Sequence, residues 1–226
     1  MKNKDFPHLQ YNDLEWRHQE KTGLNTLIYN YLTKKILQWN LGTRIAIFDI
    51  GFGIGSFFKR FVAGAKAQYS DMILEGCEPS IKNYSFFDGV ALAKEQGISL
   101  NTHQSTFLAT TTETKFDVIT AIYVFPHFLS EDLEETVKKI HSLLKIDGRF
   151  ILVLANEAYL KKRLETQPDS LLETRFFDYQ GKSYQESIHY SSLPEIGRIM
   201  DCNREEVFYE TVFVNHNFVL TEKEQL

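Results

Sequence analysis

The sequence contains little cysteine and proline, and it has no excess of positive charge. Its 226 residues include 2 Cys and 5 Pro, and 25 Lys and Arg stand against 30 Asp and Glu, for a net charge of −5. Two cysteines exclude a disulfide framework and favour a reducing compartment. The acidic balance disfavours a nucleic-acid partner, because phosphate contacts depend on clustered Lys and Arg. These absences predict a cytoplasmic protein that does not bind nucleic acid.

Long hydrophobic runs are missing as well. Residues 1–7 lead into no apolar stretch, so no signal peptide is predicted. No apolar run approaches the length that spans a membrane, so no membrane contact is expected. The length, with 43% hydrophobic residues, suits one α/β domain with a full core, and we expect a single domain over 1–226.

The most informative stretch is a short apolar run followed directly by glycines. Ile45–Ile50 is rich in β-branched residues, which predicts a strand buried on both faces. Gly51, Gly53 and Gly55 follow at alternate positions, and the next residues have apolar side chains at helical spacing. Glycine permits a sharp turn and lets a ligand approach the backbone, and the amides at a helix start attract negative partial charge. This pattern predicts a nucleotide-type site.

Two features of this loop distinguish between candidate nucleotides. The dinucleotide fingerprint reads Gly-x-Gly-x-x-Gly, and here the third glycine comes one position earlier. Asp49, two residues before the first glycine, would repel a pyrophosphate and would hold an ammonium group. The pattern from Asp49 to Gly55 resembles the first motif of the class I methyltransferases that use S-adenosyl-L-methionine. An NAD-dependent oxidoreductase and a non-catalytic S-adenosylmethionine-binding protein remain as alternatives.

Further motifs of that family follow in the same order. Glu78-Pro79-Ser80 ends a predicted second strand over 71–79, where the family has its second motif. Phe-Asp-Val-Ile opens a predicted fourth strand over 115–125. Leu-Leu-Lys-x-x-Gly, residues 143–148, is predicted to turn into a fifth strand over 149–155. The order of these matches is more specific than any one of them.

The resemblance implies an α/β fold: a doubly wound, mostly parallel seven-stranded sheet with helices on both faces and an antiparallel last strand. Residue periodicity predicts most of the other elements. These are a helical segment over 1–40 broken at Gly23, a helix from Ser80 to Gln96, a third strand over 98–103, a helix over 130–144, and two final strands over 206–215 and 217–221.

The resemblance also implies which residues bind the cofactor. Asp49 would bind the methionine amino group, and Glu78 would accept both ribose hydroxyls. The family commonly has an acid near Ser105 that accepts from the adenine amino group, and this chain departs from that pattern. A backbone amide and a hydroxyl of Ser105 or Thr106 are expected to substitute. The predicted cofactor-binding set is Asp49, Gly51, Gly53, Gly55, Glu78, Pro79, Ser105, Thr106, Phe107 and Tyr123.

The candidate for a general base is His127, because it follows the fourth strand, where the transferred methyl group should lie. The competing interpretation is that His127 packs or bonds at a helix start. Glu157, just after the fifth strand, is a second candidate. No group of Asp, Glu and His has metal-ligand spacing, so no metal is expected.

The absence of two motifs narrows the choice of methyl acceptor. After the fourth strand, DNA amino-methyltransferases carry Asn- or Asp-Pro-Pro-aromatic and cytosine methyltransferases carry Pro-Cys, whereas residues 123–127 read Tyr-Val-Phe-Pro-His. A small-molecule acceptor is therefore predicted. The aromatic-rich segment 157–190 is predicted to cover the substrate, and packing at the sheet edge is the alternative. The sequence does not indicate an oligomeric state.

Overall fold

The computed structural model describes residues 24–125, 128 and 130–153, together with the backbone of 172–179, 182–189, 212–213 and 219–220. The chain divides into two compact units. The first comprises Met1–Ala121 and Leu143–Ile151, and the second comprises Ile122–Ser142 and Leu152–Leu226. No helix among the described residues is long and apolar enough to cross a membrane. The single domain over 1–226 stays a prediction.

A five-stranded sheet organises the first unit. Its strands are β1 (Arg44–Ile50), β2 (Asp71–Cys77), β3 (Ser99–His103), β4 (Phe116–Ile122) and β5 (Leu144–Val153), in the order β3-β2-β1-β4-β5. β1 is central and runs parallel to β2 and β4, and β2 runs parallel to β3. The chain leaves β1 toward β2 and β3 on one side and later returns to β4 on the other. Sheets of this type bind ligands at the carboxyl ends of the strands where the order reverses.

The predicted α/β fold with a parallel sheet is confirmed over these five strands. The observed strand bounds differ from the predicted ones by a few residues, except at β5. The seven-stranded sheet with an antiparallel last strand remains a prediction.

Five helices are described: α1 (Leu24–Gln38), α2 (Ser56–Ala65), α3 (Ile81–Phe86), α4 (Gly89–Gln96) and α5 (Ser130–Leu143). α1 is the predicted second half of the helical segment 1–40, whose residues 1–23 lie outside the described part. It packs against α2, with the Tyr29 and Phe57 ring centroids 6.2 Å apart. A Cβ on Gly64 would lie 2.8 Å from the Thr33 methyl carbon, so glycine permits the close approach of the two helices.

The predicted single helix from Ser80 to Gln96 is wrong, because the structure has two helices, α3 and α4. The Ser80 side chain caps the first helix as expected, accepting from the Asn83 backbone amide at 3.3 Å. Asp88 then accepts from the Ala91 amide at 2.8 Å and starts a second helix. A short polar side chain that bonds the backbone in this way competes with helix continuation. Two apolar residues in the first turns of these helices point outward: Ile81 is 57% and Val90 is 81% exposed.

The start of β5 also corrects the sequence prediction. Residues 143–148 were expected to form a turn, but the strand begins at Leu144, immediately after α5. Gly148 lies inside the strand, where a Cβ would come 2.9 Å from the Phe116 carbonyl oxygen. Glycine at this position therefore serves a close backbone approach to β4 and does not make a turn.

In the second unit, α5 has the predicted amphipathic pattern, with Leu133, Val137 and Ile140 buried. Two further strands, β6 (Leu172–Tyr179) and β7 (Lys182–His189), pair antiparallel. Periodicity predicts no strand there, because the aromatic Phe176 and Phe177 follow one another in the sequence and break a period of two.

The short strands β8 (Val212–Phe213) and β9 (Val219–Leu220) fall within the two predicted final strands. They pair antiparallel, in a two-stranded sheet of their own.

Candidate cofactor site

The glycine loop turns the chain sharply where β1 ends. The backbone amides of Gly51 and Phe52 both donate to the Cys77 carbonyl oxygen, at 2.8 and 3.2 Å, which ties the loop to the end of β2. Gly51, Gly53 and Gly55 have φ values of 67°, 59° and 74°. Side chains disfavour this left-handed region by about 1–2 kcal/mol per residue. The alternating glycines are therefore required by the path of the backbone.

Two of these glycines have different surroundings. A Cβ on Gly55 would overlap the Phe87 ring, whereas a Cβ on Gly53 would meet no atom within 4 Å. Gly55 thus allows close packing inside the protein. The backbone at Gly53 is open on the side where a side chain would stand, which leaves room for a ligand.

An aromatic cluster supports the loop from within. The Phe52 ring centroid lies 5.9 Å from that of Phe58, 5.9 Å from that of Tyr84 and 5.2 Å from that of Phe87. Phe87 belongs to the break between α3 and α4, so the unexpected end of α3 supplies the ring against which Gly55 packs. The loop conformation is therefore held by packing as well as by its own glycines.

Asp49 lies near the end of β1 and is 2% exposed. Its Oδ1 accepts a hydrogen bond of 2.6 Å from the Thr120 hydroxyl on β4, the residue directly opposite in the sheet register. The pKa of Asp49 is raised to about 7, chiefly by burial and also by the nearby charge of Glu78, while the Thr120 bond acts in the opposite direction. Within the described residues, Oδ2 accepts no hydrogen bond, so this oxygen can accept one from a ligand.

Glu78 directly follows β2 and is 1% exposed. One carboxylate oxygen accepts from the Gly53 amide at 2.9 Å and the other from the Ser80 amide at 2.8 Å. Burial raises the pKa of Glu78 to about 7, although these backbone hydrogen bonds lower it. A hydrogen bond from the Asn83 side chain lowers this pKa as well. A carboxylate has about four acceptor sites, so at least one remains for a hydroxyl group of a ligand.

Neither buried carboxylate has a basic partner in the part of the chain that the structure describes. A buried charge without a partner is costly, and a ligand that brings positive charge and hydroxyl donors relieves that cost. An α-ammonium group suits Asp49, and a ribose diol suits the free acceptor sites of Glu78. The site therefore fits S-adenosyl-L-methionine, whereas a pyrophosphate would face two acids. The described residues contain no group of three or more side chains suited to a metal ion.

The other predicted cofactor-binding residues differ from one another in burial and in surroundings. Pro79 is half-buried and adjoins Glu78. Ser105 and Thr106 follow β3. The Glu78 amide, just after β2, donates to the carbonyl oxygen of His103, the last residue of β3, at 3.0 Å. The Phe107 ring is in the core, with its centroid 5.6 Å from that of Phe48. The ring itself is therefore not available to a ligand.

Tyr123 lies in the second unit, directly after β4. Its φ of 60° is unusual for a residue with a side chain, and its amide donates to the Val153 carbonyl oxygen at 3.0 Å. His127 and Glu157 lie outside the described residues, as does most of the segment 157–190. The structure thus brings Asp49, the glycine loop and Glu78 together.

Sequence reasoning missed three residues that shape the site. Thr120 bonds Asp49, Phe87 packs against Gly55, and Thr110 bonds Ser105 at 2.6 Å. Thr120 left a signal, since it is a polar residue between apolar neighbours in the strand. Phe87 left none, because its role depends on packing against a loop far away in the chain. Thr110 left none, because a spacing of five residues within a loop follows no regular period.

Comparison with known proteins agrees with this geometry. A family profile described as a methyltransferase domain matches residues 17–202. No curated protein gives a significant match.

Several solved structures share the fold. A complex of DhpI with SAH, S-adenosylhomocysteine, is 11% identical with a TM-score of 0.62, covering 96% of each chain. An S-adenosylmethionine-dependent methyltransferase from Clostridium acetobutylicum is 13% identical with a TM-score of 0.58, covering 87% of this chain and 91% of that one. The Burkholderia thailandensis 1,6-didemethyltoxoflavin-N1-methyltransferase is 15% identical with a TM-score of 0.56, covering 92% and 84%.

At these identities the likeness to solved structures is one of fold, and the family follows from the profile, which spans most of the chain. The family match and the acids at the loop decide against the NAD-dependent oxidoreductase. The chain belongs to the methyltransferase-domain family and is a class I methyltransferase that uses S-adenosyl-L-methionine.

Proposed function

We propose that this protein transfers a methyl group from S-adenosyl-L-methionine to a small-molecule acceptor. The observation that supports the cofactor site most directly is the hydrogen bond from the Gly53 amide to the buried Glu78 carboxylate, at 2.9 Å. This bond links the loop after β1 to the acid after β2, and Asp49 lies in the same region of buried negative charge. An adenosyl amino acid carries an α-ammonium group that is complementary to Asp49 and a ribose diol that is complementary to Glu78.

The described residues have distinct roles in binding this cofactor. Asp49 binds the α-ammonium group through Oδ2, directly and through water. The open backbone around Gly51 and Gly53 lines the carboxylate and ribose, and Gly55 lets α2 begin close to the loop. Glu78 accepts both ribose hydroxyls and Pro79 borders the base, while Ser105, Thr106 and the backbone of Phe107 meet the adenine edge. We assign Tyr123 to the methionine side.

When bound, the cofactor supplies a methyl group on a sulfonium, which a nucleophile displaces in line with the S–CH3 bond. The residues of the chain position the reactants and exclude water from them. In the proposal, His127 accepts a proton from the acceptor, and the segment 157–190, which includes β6 and β7, covers the acceptor. The alternatives remain a structural His127 and a segment that packs at the sheet edge.

Three observations support a small acceptor and a cytoplasmic location. Charge and cysteine content disfavour nucleic acid and a secreted protein. The motifs of DNA base methyltransferases are missing after β4. One protein of the same fold was solved with bound 1,6-didemethyltoxoflavin, a small molecule.

The test has two stages. Titration with S-adenosylhomocysteine measures cofactor binding, and NAD is the control ligand. At a concentration 100 times the dissociation constant, binding stabilises the fold by about 2.7 kcal/mol, and the melting temperature rises. A panel of oxygen, nitrogen and carbon acceptors is then assayed for transfer of a labelled methyl group. Binding without transfer to any acceptor would indicate the non-catalytic alternative.

Two variants test the acceptor side. His127→Ala should lower turnover by about two orders of magnitude and leave cofactor affinity intact. Replacement of residues 173–181 by a short flexible linker removes most of β6 and should abolish methylation while retaining cofactor binding. Normal turnover in the first variant would return His127 to a structural role, and normal methylation in the second would rule out the cover.

A further inference from the structure

Thr120 is a polar residue in the buried part of β4. It is 0% exposed and lies between the apolar Ile119 and Ala121. In the register of the sheet it is directly opposite Asp49 of β1, so the two side chains stand on the same face. The Thr120 hydroxyl donates to Asp49 Oδ1 at 2.6 Å, whereas the Phe48 carbonyl oxygen is 3.4 Å from the same hydroxyl. The carboxylate is therefore its main partner.

Packing alone does not explain a threonine at this position. Valine has almost the same shape, and strands that are buried on both faces are rich in valine and isoleucine. A hydroxyl group in a buried position costs free energy unless it is hydrogen-bonded. The Thr120 hydroxyl therefore indicates a function for its bond to Asp49.

The two buried acids of the site are held in different ways. Glu78 accepts from two backbone amides and from the Asn83 side chain. In the part of the chain that the structure describes, the bond from Thr120 is the only hydrogen bond that Asp49 accepts. Asp49 thus depends on a single side chain, and one substitution removes its support.

The surroundings of Asp49 oppose its ionisation. Burial has the largest effect, and the charge of Glu78 adds repulsion. The thiol of Cys77, at the end of β2, contributes no charge near neutral pH, because burial raises the pKa of Cys77 to about 12. Thr120 acts in the opposite direction, since a hydrogen bond donated to the ionised carboxylate favours that form. The same bond fixes Oδ1, and Oδ2 stays available.

We propose that Thr120 is a positioning residue for S-adenosyl-L-methionine: its hydroxyl keeps Asp49 ionised, with Oδ1 fixed and Oδ2 available to the α-ammonium group of the cofactor. This step rests on the placement of the ammonium group at Asp49 proposed above. Thr120 acts through Asp49 and takes no part in methyl transfer itself. A carboxylate that is ionised and oriented before the ligand arrives needs less rearrangement on binding.

The experiment measures the affinity of the full-length protein for S-adenosylhomocysteine by calorimetry, between about pH 6 and about pH 8.5. Thr120→Val removes the hydroxyl and keeps the shape of the side chain. Loss of a hydrogen bond to the ionised form raises the pKa of Asp49, so the pH at which the affinity is half of its upper limit should move up by about one unit. At pH 7 the affinity should then be about fivefold lower than in wild type. Thr120→Ser keeps the hydroxyl and should keep the wild-type midpoint.

A second ligand separates the charge of Asp49 from packing. 5′-Methylthioadenosine has the adenosine and the sulfur atom of S-adenosylhomocysteine but no amino-acid portion, and so no ammonium group. Thr120→Val should leave the affinity for this ligand at the wild-type value. Equal losses of affinity for both ligands at every pH would show that Thr120 merely packs beside the site, and would overturn the proposal.

Thr136→Val is the matched control. Thr136 of α5 is 0% exposed as well, and its hydroxyl has no hydrogen-bond partner among the described residues. The midpoint for S-adenosylhomocysteine should stay at its wild-type value in this variant. A midpoint that moved as far as in Thr120→Val would mean that the loss of any buried hydroxyl has this effect, and the proposal would fail.

The outcomes separate this proposal from the cofactor placement. A wild-type midpoint in Thr120→Val, or an equal displacement in Thr120→Val and Thr120→Ser, overturns the role of Thr120 and leaves the site in place. An affinity that does not depend on pH in wild type overturns the assignment of Asp49 together with the role of Thr120. Failure of wild type to bind S-adenosylhomocysteine at all would overturn the cofactor placement itself.

Discussion

Acidic residues occur at both ends of the central strands, and their surroundings differ. At the amino ends, Asp71 pairs with Arg44 at 2.8 Å, and the two side chains are 45% and 75% exposed. Asp117, at the start of β4, accepts from Lys145 at 2.8 Å and from the Ala46 amide at 2.7 Å. Each of these acids has a basic partner and contacts water.

At the carboxyl ends, Asp49 and Glu78 are almost fully buried. Their hydrogen-bond donors are the Thr120 hydroxyl, the Asn83 side chain and backbone amides, which hold the carboxylates in place without neutralising them. The paired acids at the amino ends are explained by the fold alone. The unpaired acids at the carboxyl ends are explained by a ligand that brings the missing charge and hydroxyl donors.

The largest expected effect comes from glycine substitutions at the two ends. Gly55→Ala places a Cβ in the left-handed region and against the Phe87 ring, and should destabilise the fold by about 2–4 kcal/mol. Gly42→Ala, before β1, has φ of 90° with nothing within 4 Å, and should cost only about 1–2 kcal/mol. Denaturant unfolding measures both. Equal losses would show that Phe87 does not support the loop.

The second comparison replaces one acid by alanine at each end of the central strands. Glu78→Ala should weaken S-adenosylhomocysteine binding by roughly 1–3 kcal/mol, because the ribose hydroxyls lose a charged acceptor. Asp71→Ala removes an exposed acid and should leave the affinity at the wild-type value. Isothermal titration calorimetry decides between them. Unchanged affinity in Glu78→Ala would remove this residue from the site.

The third comparison uses pH. The pKa values of Asp49 and Glu78 are raised to about 7, and an ammonium ligand favours the ionised form of Asp49. Affinity for S-adenosylhomocysteine should therefore fall by about tenfold between about pH 8 and about pH 6, and binding should release protons. Calorimetry in buffers of different ionisation enthalpy detects that release. In Asp49→Asn, the affinity should depend less on pH. A wild-type pH profile in this variant would contradict the assignment of Asp49 to the ammonium group.

The ligand-free protein should show the opposite trend, and the sign follows from linkage. An acid whose pKa is raised on folding stabilises the folded state when protonated, so this contribution is present below the unfolded value, about 4. It is lost as pH rises through about 7. Denaturant titration of wild type and Asp49→Asn isolates the contribution. A contribution that increased with pH would mean that a cation neutralises these acids in the folded protein.

The smallest effect is expected at the exposed pair of the amino ends. Arg44→Gln breaks the ion pair with Asp71 and should cost at most about 1 kcal/mol, because exposed pairs are screened by water and salt. Thermal unfolding at low and high salt measures the loss, which should shrink at high salt. Cofactor affinity should not change, and a change would show that the two ends of the sheet are coupled.

The sequence by itself was sufficient for the elements whose signals are local. β1 is a mostly apolar run because it is buried on both faces. The glycines after it mark a backbone conformation that residues with side chains disfavour. Asp49 and Glu78 were found because each lies next to a strand end. Such features depend on a residue and its immediate neighbours in the chain, so they can be recognised in the sequence alone.

Tertiary structure decided the features that depend on distant residues. Phe87, at the break between α3 and α4, packs on Gly55 of the glycine loop, far earlier in the chain. Thr120 contacts Asp49 across the sheet, 71 positions away in the chain. Contacts of this kind arise when the strands assemble, because the register of neighbouring strands sets which side chains meet.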